Sequence, residues 1–320
     1  PPNSYLLQNN NGIFTDVTAS VCPPLKNTGM VTAAVSTDFN NDQQPDLIIA
    51  GDWMPVRFFK NSNGRLEEVT RATGLTAMNG MWRSLIASDI DNDGDMDLVA
   101  GNIGLNNYYR VSNDEPMQLY AADLDGNGNI DTVYFYYIKS KKKKKYAYPG
   151  ISRSQFADQT PIIKKQFLMH EDYAKAKFDG IFKGKVKDSM YQVFCDETRT
   201  CVLENKGNGK FEKHPLPVEA QFAPVNAIIC YDLDGDGNKD LLLAGNEYQA
   251  EVMRGRYDAS YGCFLRGNGK NNFLAVSPVK SGFIVDGDVK DMALVTMTDK
   301  SKRILVGVNN DSLRVFAVGK

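Results

Sequence analysis

The chain has 320 residues, 42% of them hydrophobic and 24% charged, and its mean hydropathy of -0.37 is typical of a globular protein with a sizeable core. Lys and Arg total 37 against 39 Asp and Glu, so the net charge of -2 provides no general attraction to nucleic acid, and no nucleic-acid partner is expected. No run approaches the roughly 18 apolar residues of a transmembrane helix, and two histidines, His170 and His214, leave little room for a zinc site built mainly from histidine.

An acidic pattern of nine residues recurs at 38–46, 89–97, 123–131 and 232–240, which we call loops 1 to 4. Carboxylates or side-chain amides occupy positions 1, 3, 5 and 9 in every copy, and position 7 can offer its backbone carbonyl. Oxygen ligands of this kind are what calcium prefers, so about four calcium ions are expected. The predicted ligands are Asp38, Asn40, Asp42, Gln44 and Asp46 in loop 1; Asp89, Asp91, Asp93, Asp95 and Asp97 in loop 2; Asp123, Asp125, Asn127, Asn129 and Asp131 in loop 3; and Asp232, Asp234, Asp236, Asn238 and Asp240 in loop 4.

The EF-hand shares the opening of this pattern but requires a bidentate Glu at position 12. That position holds Ile49, Ala100, Tyr134 and Leu243, none of which can bind a metal ion through its side chain in that way. Short apolar runs follow each loop, and most of them end in Gly, which is typical of buried strands and not of helices. Each loop is therefore predicted to be the turn between two strands.

Strands are predicted before the loops at 31–37, 83–88, 118–122 and 226–231. Further hairpins with Asn/Gly turns follow in most units, so each unit contains about four antiparallel strands. Four strands per unit, repeated along the chain, predict the blades of a β-propeller.

The spacing of the loops predicts the size of each blade. Loops 1 and 2 begin 51 residues apart, close to a blade period, whereas loops 2 and 3 begin 34 apart, which predicts a short second blade. Loops 3 and 4 begin 109 apart, so the third blade is predicted to carry an insertion at 139–190, made of a Lys-rich hairpin and a helical segment. With a final unit at 288–318 that lacks an acidic loop, we predict about five blades in an all-β fold, as a single β-propeller region at 1–320.

Five cysteines are too few for a disulfide scaffold, and they lack the spacing of a zinc ribbon. Cys195 and Cys201 flank a short polar stretch, as the two strands of a hairpin would. The sequence leaves open whether they form a disulfide or are two small buried side chains.

The four loops, each followed by an apolar strand and mostly by Gly, resemble FG-GAP/VCBS repeats, the blades of integrin α-type propellers. The segments at 166–174, 219–225 and 255–262 are similar to bacterial envelope proteins of the VCBS/ASPIC-UnbV type. This resemblance implies that the chain is part of a larger protein with a seven-bladed propeller. Asn40 and Gln43 depart from the family pattern, which prefers Asp and Gly at those positions.

Two functions are compatible with this sequence. The first is a calcium-stabilised, non-catalytic propeller that acts as a binding or scaffold module for a protein or glycan at the bacterial envelope, in an extracellular, cell-surface or periplasmic location. The second is a propeller enzyme acting on polysaccharide, a lyase or a glycosidase, with acidic residues in its central channel. The first is favoured because the Asp residues are concentrated in the loops and no nucleophile or phosphate-binding motif is present.

Overall fold

A computed structural model describes residues 2–75, 78–139, 145–182, 190–250 and 255–319. Most of the lysine run at 141–145, predicted to be a solvated hairpin tip, lies outside these residues. Within them, no helix is long and apolar enough to cross a lipid bilayer. The chain divides into two compact units: unit 1 contains Pro1–Asn107 and Thr198–Lys320, and unit 2 contains Tyr108–Glu197.

Unit 1 contains four antiparallel sheets and a separate hairpin. The hairpin consists of β1 (Leu7–Asn10) and β2 (Ile13–Asp16), followed by α1 (Thr18–Val21). Sheet 1 contains β3 (Met30–Thr37), β4 (Asp46–Met54), β5 (Arg57–Ser62), β6 (Arg65–Glu68) and β7 (Gly80–Met81). Sheet 2 begins with β8 (Ser84–Ser88) and β9 (Asp97–Gly101).

The described residues of unit 2 form sheet 3 and four short helices. The strands of sheet 3 are β10 (Met117–Ala122), β11 (Asp131–Lys139), β12 (Lys145–Pro149) and β13 (Tyr191–Cys195). The helices lie between the last two strands, at α2 (Arg153–Gln159), α3 (Ile162–Gln166), α4 (His170–Lys175) and α5 (Phe178–Ile181). Aromatic side chains of this helical segment, including Phe156 in α2 and Phe182 just after α5, pack in one cluster with Phe135 of β11, an inner strand of the sheet.

The rest of unit 1 follows unit 2 in the sequence. Sheet 2 is completed by β14 (Cys201–Asn205) and β15 (Phe211–Pro215). Sheet 4 contains β16 (Val225–Tyr231), β17 (Asp240–Gly245), β18 (Cys263–Gly267) and β19 (Phe273–Val276). After α6 (Pro278–Ser281), sheet 5 contains β20 (Val289–Thr296), β21 (Lys302–Val308) and β22 (Arg314–Ala317). The prediction of an all-β fold is confirmed, since only short helices accompany these antiparallel sheets.

The prediction of a short second blade is wrong. In sheet 2, Val99 of β9 is paired with Val202 of β14, so unit 2 is inserted between the second and third strands of that sheet. The spacing between loops 2 and 3 therefore measures the distance to an inserted unit and not the length of a blade. The spacing of the loops does not determine which strands pair, because pairing depends on packing and hydrogen bonding. A long insertion between two paired strands is also tolerated, since the entropic cost of closing a loop rises only slowly with its length.

The sheets of unit 1 pack face to face in the order 1, 2, 4 and 5. Trp82 and Phe58 are fully buried between sheets 1 and 2, and separate apolar clusters fill the two interfaces that follow. The first strands of neighbouring sheets are joined by side chains that donate to backbone carbonyls. These bonds are Thr32 Oγ1 to Trp82 O (2.7 Å), Ser84 Oγ to Val225 O (2.8 Å) and Asn226 Nδ2 to Val289 O (2.8 Å).

The glycines that follow the apolar runs of the second strands are required by a close backbone approach. A Cβ atom on Gly51 would lie 2.0 Å from Met30 O, and one on Gly245 would lie 1.7 Å from Pro224 O. Only glycine fits such positions, which explains the apolar-run-plus-Gly pattern of the sequence.

The two cysteines whose state was open in the sequence, Cys195 and Cys201, are both buried thiols, and the described structure contains no disulfide bond.

Candidate metal-binding loops

Each acidic loop connects the first two strands of a sheet: loop 1 in sheet 1, loop 2 in sheet 2, loop 3 in sheet 3 and loop 4 in sheet 4. Positions 4 and 6 adopt left-handed backbone conformations, as at Asn92 (φ 62°) and Gly94 (φ 94°) of loop 2. Loops 2, 3 and 4 have Gly at position 6, where a side chain would be unfavourable. Loop 1 instead places Gln43 there with φ 66°, a local strain that sets it apart from the others.

The carboxylate at position 1 is the centre around which each loop folds. In loop 4, Asp232 accepts hydrogen bonds from Gly235 N (2.8 Å) and Gly237 N (3.0 Å). In loop 2, Asp89 accepts them from Asp93 N and Gly94 N, both at 3.2 Å. The side chain at position 5 makes a further hydrogen bond within the loop, because its oxygen accepts from the backbone N–H of position 7. The position 5 acceptors are Asp42 (3.0 Å), Asp93 (2.9 Å), Asn127 (2.7 Å) and Asp236 (2.8 Å).

The carboxylate at position 9 is buried and joins the loop to the sheet. Asp97, 1% exposed, accepts from Ile90 N (3.1 Å) within loop 2 and from Asn205 N (2.7 Å) on β14. The equivalent bonds in loop 1 run to Asp46 from Phe39 N (3.2 Å) and Asn61 N (2.7 Å), and in loop 4 to Asp240 from Leu233 N (2.9 Å) and Gly267 N (2.9 Å). In loop 3, Asp131 accepts from Leu124 N (3.0 Å). Position 9 therefore has a structural role whether or not a metal ion is bound.

In loops 2, 3 and 4 the carboxylates at positions 1, 3 and 9 converge, with one oxygen from each lying within 4.8 Å of the others. These groups are Asp89, Asp91 and Asp97; Asp123, Asp125 and Asp131; and Asp232, Asp234 and Asp240. In the described part of the chain, the aspartates at position 5 or 7, which are Asp93, Asp95 and Asp236, belong to none of the three groups. The sequence pattern thus predicts the loops. The structure adds that the carboxylates at positions 1, 3 and 9 converge, whereas the side chain at position 5 shapes the turn by accepting a backbone hydrogen bond.

Side chains at position 7 lie near neighbouring segments. Gln44 Oε1 accepts from Asn63 N (2.9 Å) on the outer hairpin of sheet 1. Asp95 accepts from the Asn41 amide of loop 1, and Asn238 faces Gly269 in the turn between β18 and β19. Asn129, in loop 3, contributes its backbone N–H to Asn127. Three of the four side chains at position 7 thus face neighbouring segments, and metal binding through the backbone carbonyl of this position stays a prediction.

Loop 1 differs from the others because position 3 is an amide. Asn40 Nδ2 donates to Asp46 Oδ2 (3.2 Å), and Lys60 Nζ lies 3.1 Å from Asp42 Oδ2. An internal donor and a lysine thus partly satisfy carboxylates that could otherwise bind a cation. In loop 4, Arg266 forms a similar ion pair with Asp234.

The donor set of loop 2 fits calcium. Asp91 Oδ1 is enclosed by protein and accepts no hydrogen bond from any residue that the structure describes, although it belongs to the converging group. A buried carboxylate oxygen without a donor is costly, and a bound cation would remove that cost. All three converging ligands are carboxylates, which suit a hard divalent ion such as calcium. When bound, the ion would supply positive charge that links the two ends of the loop.

Burial and mutual repulsion raise the pKa values of several loop carboxyls. The pKa of Asp97 is raised to about 7, chiefly by burial and further by the charges of Asp91 and Asp93, although hydrogen bonds from Asn205 and Ile90 lower it. Burial also raises the pKa values of Asp46, Asp91 and Asp240. Without a cation, the folded loops therefore retain protons that ordinary carboxyls would lose.

This pKa shift predicts the pH dependence of the metal-free chain. With chelator present, we expect the free energy of unfolding of unit 1 to fall as the pH rises from about 4 to about 7, because folded Asp97 retains a proton that the unfolded chain has released. Below about pH 4, Asp97 is protonated in both the folded and the unfolded chain, so its contribution to the free energy of unfolding no longer changes with pH. Urea midpoints, followed by the fluorescence of Trp53 and Trp82, measure the slope. Asp97→Asn should make it shallower, and an unchanged slope would contradict the assignment.

Several residues of the loops' surroundings were not predicted from sequence. Asn61, Asn205 and Gly267, on third strands, donate to position 9 across the sheet, and only knowledge of strand register could have identified them. A further group of potential metal ligands, Glu204, Glu212 and His214, lies on the β14–β15 hairpin. The sequence shows Glu212 and His214 two residues apart on one strand, but their proximity to Glu204 can be recognised only when the register of the hairpin is known.

Comparison with known proteins bears on the segment that contains loops 1 and 2. Residues 38–100 match the family profile described as FG-GAP-like repeat. The chain carries an FG-GAP-like repeat. The FG-GAP-like repeat runs from loop 1 through the outer hairpin of sheet 1 to β9, and the prediction of an FG-GAP/VCBS repeat protein is confirmed.

Among solved structures, the chain is similar to the V. cholerae biofilm matrix protein Bap1, with 10% sequence identity and a TM-score of 0.32. The similarity covers 90% of this chain and 62% of the Bap1 chain. This chain therefore spans less than two thirds of the length of Bap1. No curated protein matches the chain.

Proposed function

We propose that this chain is a calcium-stabilised, non-catalytic β-propeller region that acts as a binding or scaffold module for a protein or glycan at the bacterial envelope. The observation that carries the proposal is the convergence of carboxylates from positions 1, 3 and 9 in loops 2, 3 and 4. About four calcium ions, held by the four loops, would fix the turns between first and second strands. An extracellular, cell-surface or periplasmic location follows, because extracellular calcium modules bind with dissociation constants of roughly 10⁻⁴–10⁻³ M, which suits places where calcium is plentiful.

The packing of unit 1 supports a propeller arrangement. Four sheets stack in a regular order, and their first strands β3, β8, β16 and β20 are neighbours along one side of the stack. Sheets 1, 2 and 4 each contain at least four antiparallel strands, as propeller blades do.

The carboxylates outside the loops favour a non-catalytic role. At the strand ends remote from the loops, Asp52 pairs with Arg83 (3.4 Å), and Lys290 lies 3.7 Å from Glu247 and 2.8 Å from Asp288. Burial raises the pKa of Asp52, but each of these carboxylates has a cationic side chain beside it, as carboxylates that stabilise a fold through ion pairs do. We therefore assign these groups to the stability of the sheets.

Calcium titration calorimetry on the purified, metal-free chain tests the metal part of this proposal. We expect about four ions to bind, and Asp89→Ala and Asp232→Ala each to remove one. Asp158→Ala, at an exposed helical position, is the matched control and should leave the number unchanged. An absence of calcium binding to the folded chain would overturn the proposal.

The binding part is tested by protein and glycan arrays probed with and without chelator. Calcium-dependent capture of one ligand class without its breakdown is the expected result. Release of new reducing ends or unsaturated sugars from a polysaccharide would instead support the lyase or glycosidase alternative.

A further inference from the structure

The outer hairpin of sheet 2 brings three potential metal ligands together on one face. Glu204 on β14 is directly opposite Glu212 on β15, and His214 lies two residues further along β15. One ligand atom from each residue lies within 4.8 Å of the others, and His214 Nε2 is 2.8 Å from Glu204 Oε2. These residues belong to none of the acidic loops.

Two glutamates directly opposite each other destabilise a hairpin unless a cation lies between or beside them. Lys206 supplies part of that charge, since its Nζ lies 3.0 Å from Glu204 Oε1. Its side chain is 51% exposed and contacts Glu204, whereas that of Glu204 is only 14% exposed. An exposed lysine can move into solvent at little cost, which would leave the carboxylates and the imidazole available to a metal ion.

An amide beside this group offers a further oxygen. Asn271 lines a cavity of about 310 Å³ together with His214 and Phe273, and its side chain is hydrogen-bonded to Glu204. Asn271 Nδ2 also donates to Asp91 Oδ2 (3.0 Å) of loop 2. Asn271 Oδ1 is enclosed by protein and accepts no hydrogen bond from any residue in the described ranges, so this oxygen is available to a cation or to a water molecule.

We propose that Glu204, Glu212 and His214 form a binding site for a divalent transition-metal ion, Zn²⁺, distinct from the calcium ions of the loops. An imidazole nitrogen with two carboxylates is a donor set that suits zinc, whereas calcium takes oxygen ligands. The cavity beside His214 leaves room for a further ligand, either Asn271 Oδ1 or water. The site would tie together the two strands of the hairpin that completes sheet 2.

Zinc titration of the calcium-saturated full chain tests this site, because calcium occupies the loops and leaves the hairpin group to be measured. We expect one Zn²⁺ to bind and His214→Gln to weaken its affinity by at least about tenfold. His170→Gln is the matched control, since His170 is the other histidine of the chain and lies in α4; it should leave zinc affinity unchanged. Lys206→Met should strengthen binding by removing the competing ammonium group.

A second measurement keeps the test independent of folding. Modification of histidine by diethylpyrocarbonate, followed by peptide mass analysis, should show zinc protecting His214 while His170 reacts at an unchanged rate. Zinc affinity that is unchanged by His214→Gln, zinc that is displaced by millimolar calcium, or the absence of zinc binding would each overturn the proposal and leave the group as ion pairs that involve Lys206.

Discussion

Removal of calcium is expected to lower the melting temperature of the chain, and calcium should restore it far better than magnesium. The loops bring carboxylates together within a few ångströms, and bound cations would offset their mutual repulsion. Each site should contribute about 2.7 kcal/mol at a calcium concentration a hundredfold above its dissociation constant. Magnesium is a weaker substitute because it requires a smaller octahedral shell.

Thermal unfolding with and without a chelator measures this effect, and the fluorescence of Trp53 and Trp82 reports on unit 1, which contains loops 1, 2 and 4. Asp91→Asn should reduce the calcium-dependent shift, and Asp158→Asn, an exposed helical substitution, should not. Identical melting curves for calcium-loaded and demonstrably metal-free protein would exclude a structural role for the ions.

The substitution Asp97→Ala is expected to lower the free energy of unfolding by about 2–5 kcal/mol even when chelator is present. Both oxygens of Asp97 accept buried backbone hydrogen bonds, from Ile90 N and Asn205 N, and alanine would leave both donors without an acceptor. Urea unfolding measures the loss. Asp97→Asn retains one carbonyl oxygen and should cost less.

Comparison with Asp91→Asn separates the two roles of the loop. Asp91 belongs to the converging group but makes no bond to the sheet equivalent to those of Asp97, so its substitution should matter chiefly when calcium is present. If Asp97→Ala lost stability only in calcium, the structural role assigned to position 9 would be wrong.

The loops were predictable from sequence because their ligands are local. Nine consecutive residues contain the carboxylates and, in loops 2, 3 and 4, the glycines that allow left-handed turns, so a repeated pattern was enough to identify all four loops. The glycines after the apolar runs, such as Gly51 and Gly245, were equally visible in the sequence, although the backbone contact that requires them was not.

Contacts between distant parts of the sequence were not predictable in the same way. Asn205 donates to Asp97 across more than a hundred residues, and Glu204 meets His214 only through the register of a hairpin. The insertion of unit 2 inside sheet 2 was missed for the same reason, since spacing shows how far apart two motifs lie and not which strands pair. Whether the segment at 139–190 is a separate insertion within its blade stays a prediction.

The interruption of sheet 2 has a consequence for synthesis on the ribosome. All five residues of β9 are buried in the finished sheet, yet the partner strand β14 begins about 100 residues later. At roughly 5–20 residues per second, an apolar strand edge stays unpaired for about 5–20 s after it is made. Unpaired edges of this kind recruit other strands, so nascent chains are most exposed to misassociation during this interval. Folding of unit 2 before β14 is made would bring the ends of the insertion together and so limit any further delay once β14 has emerged.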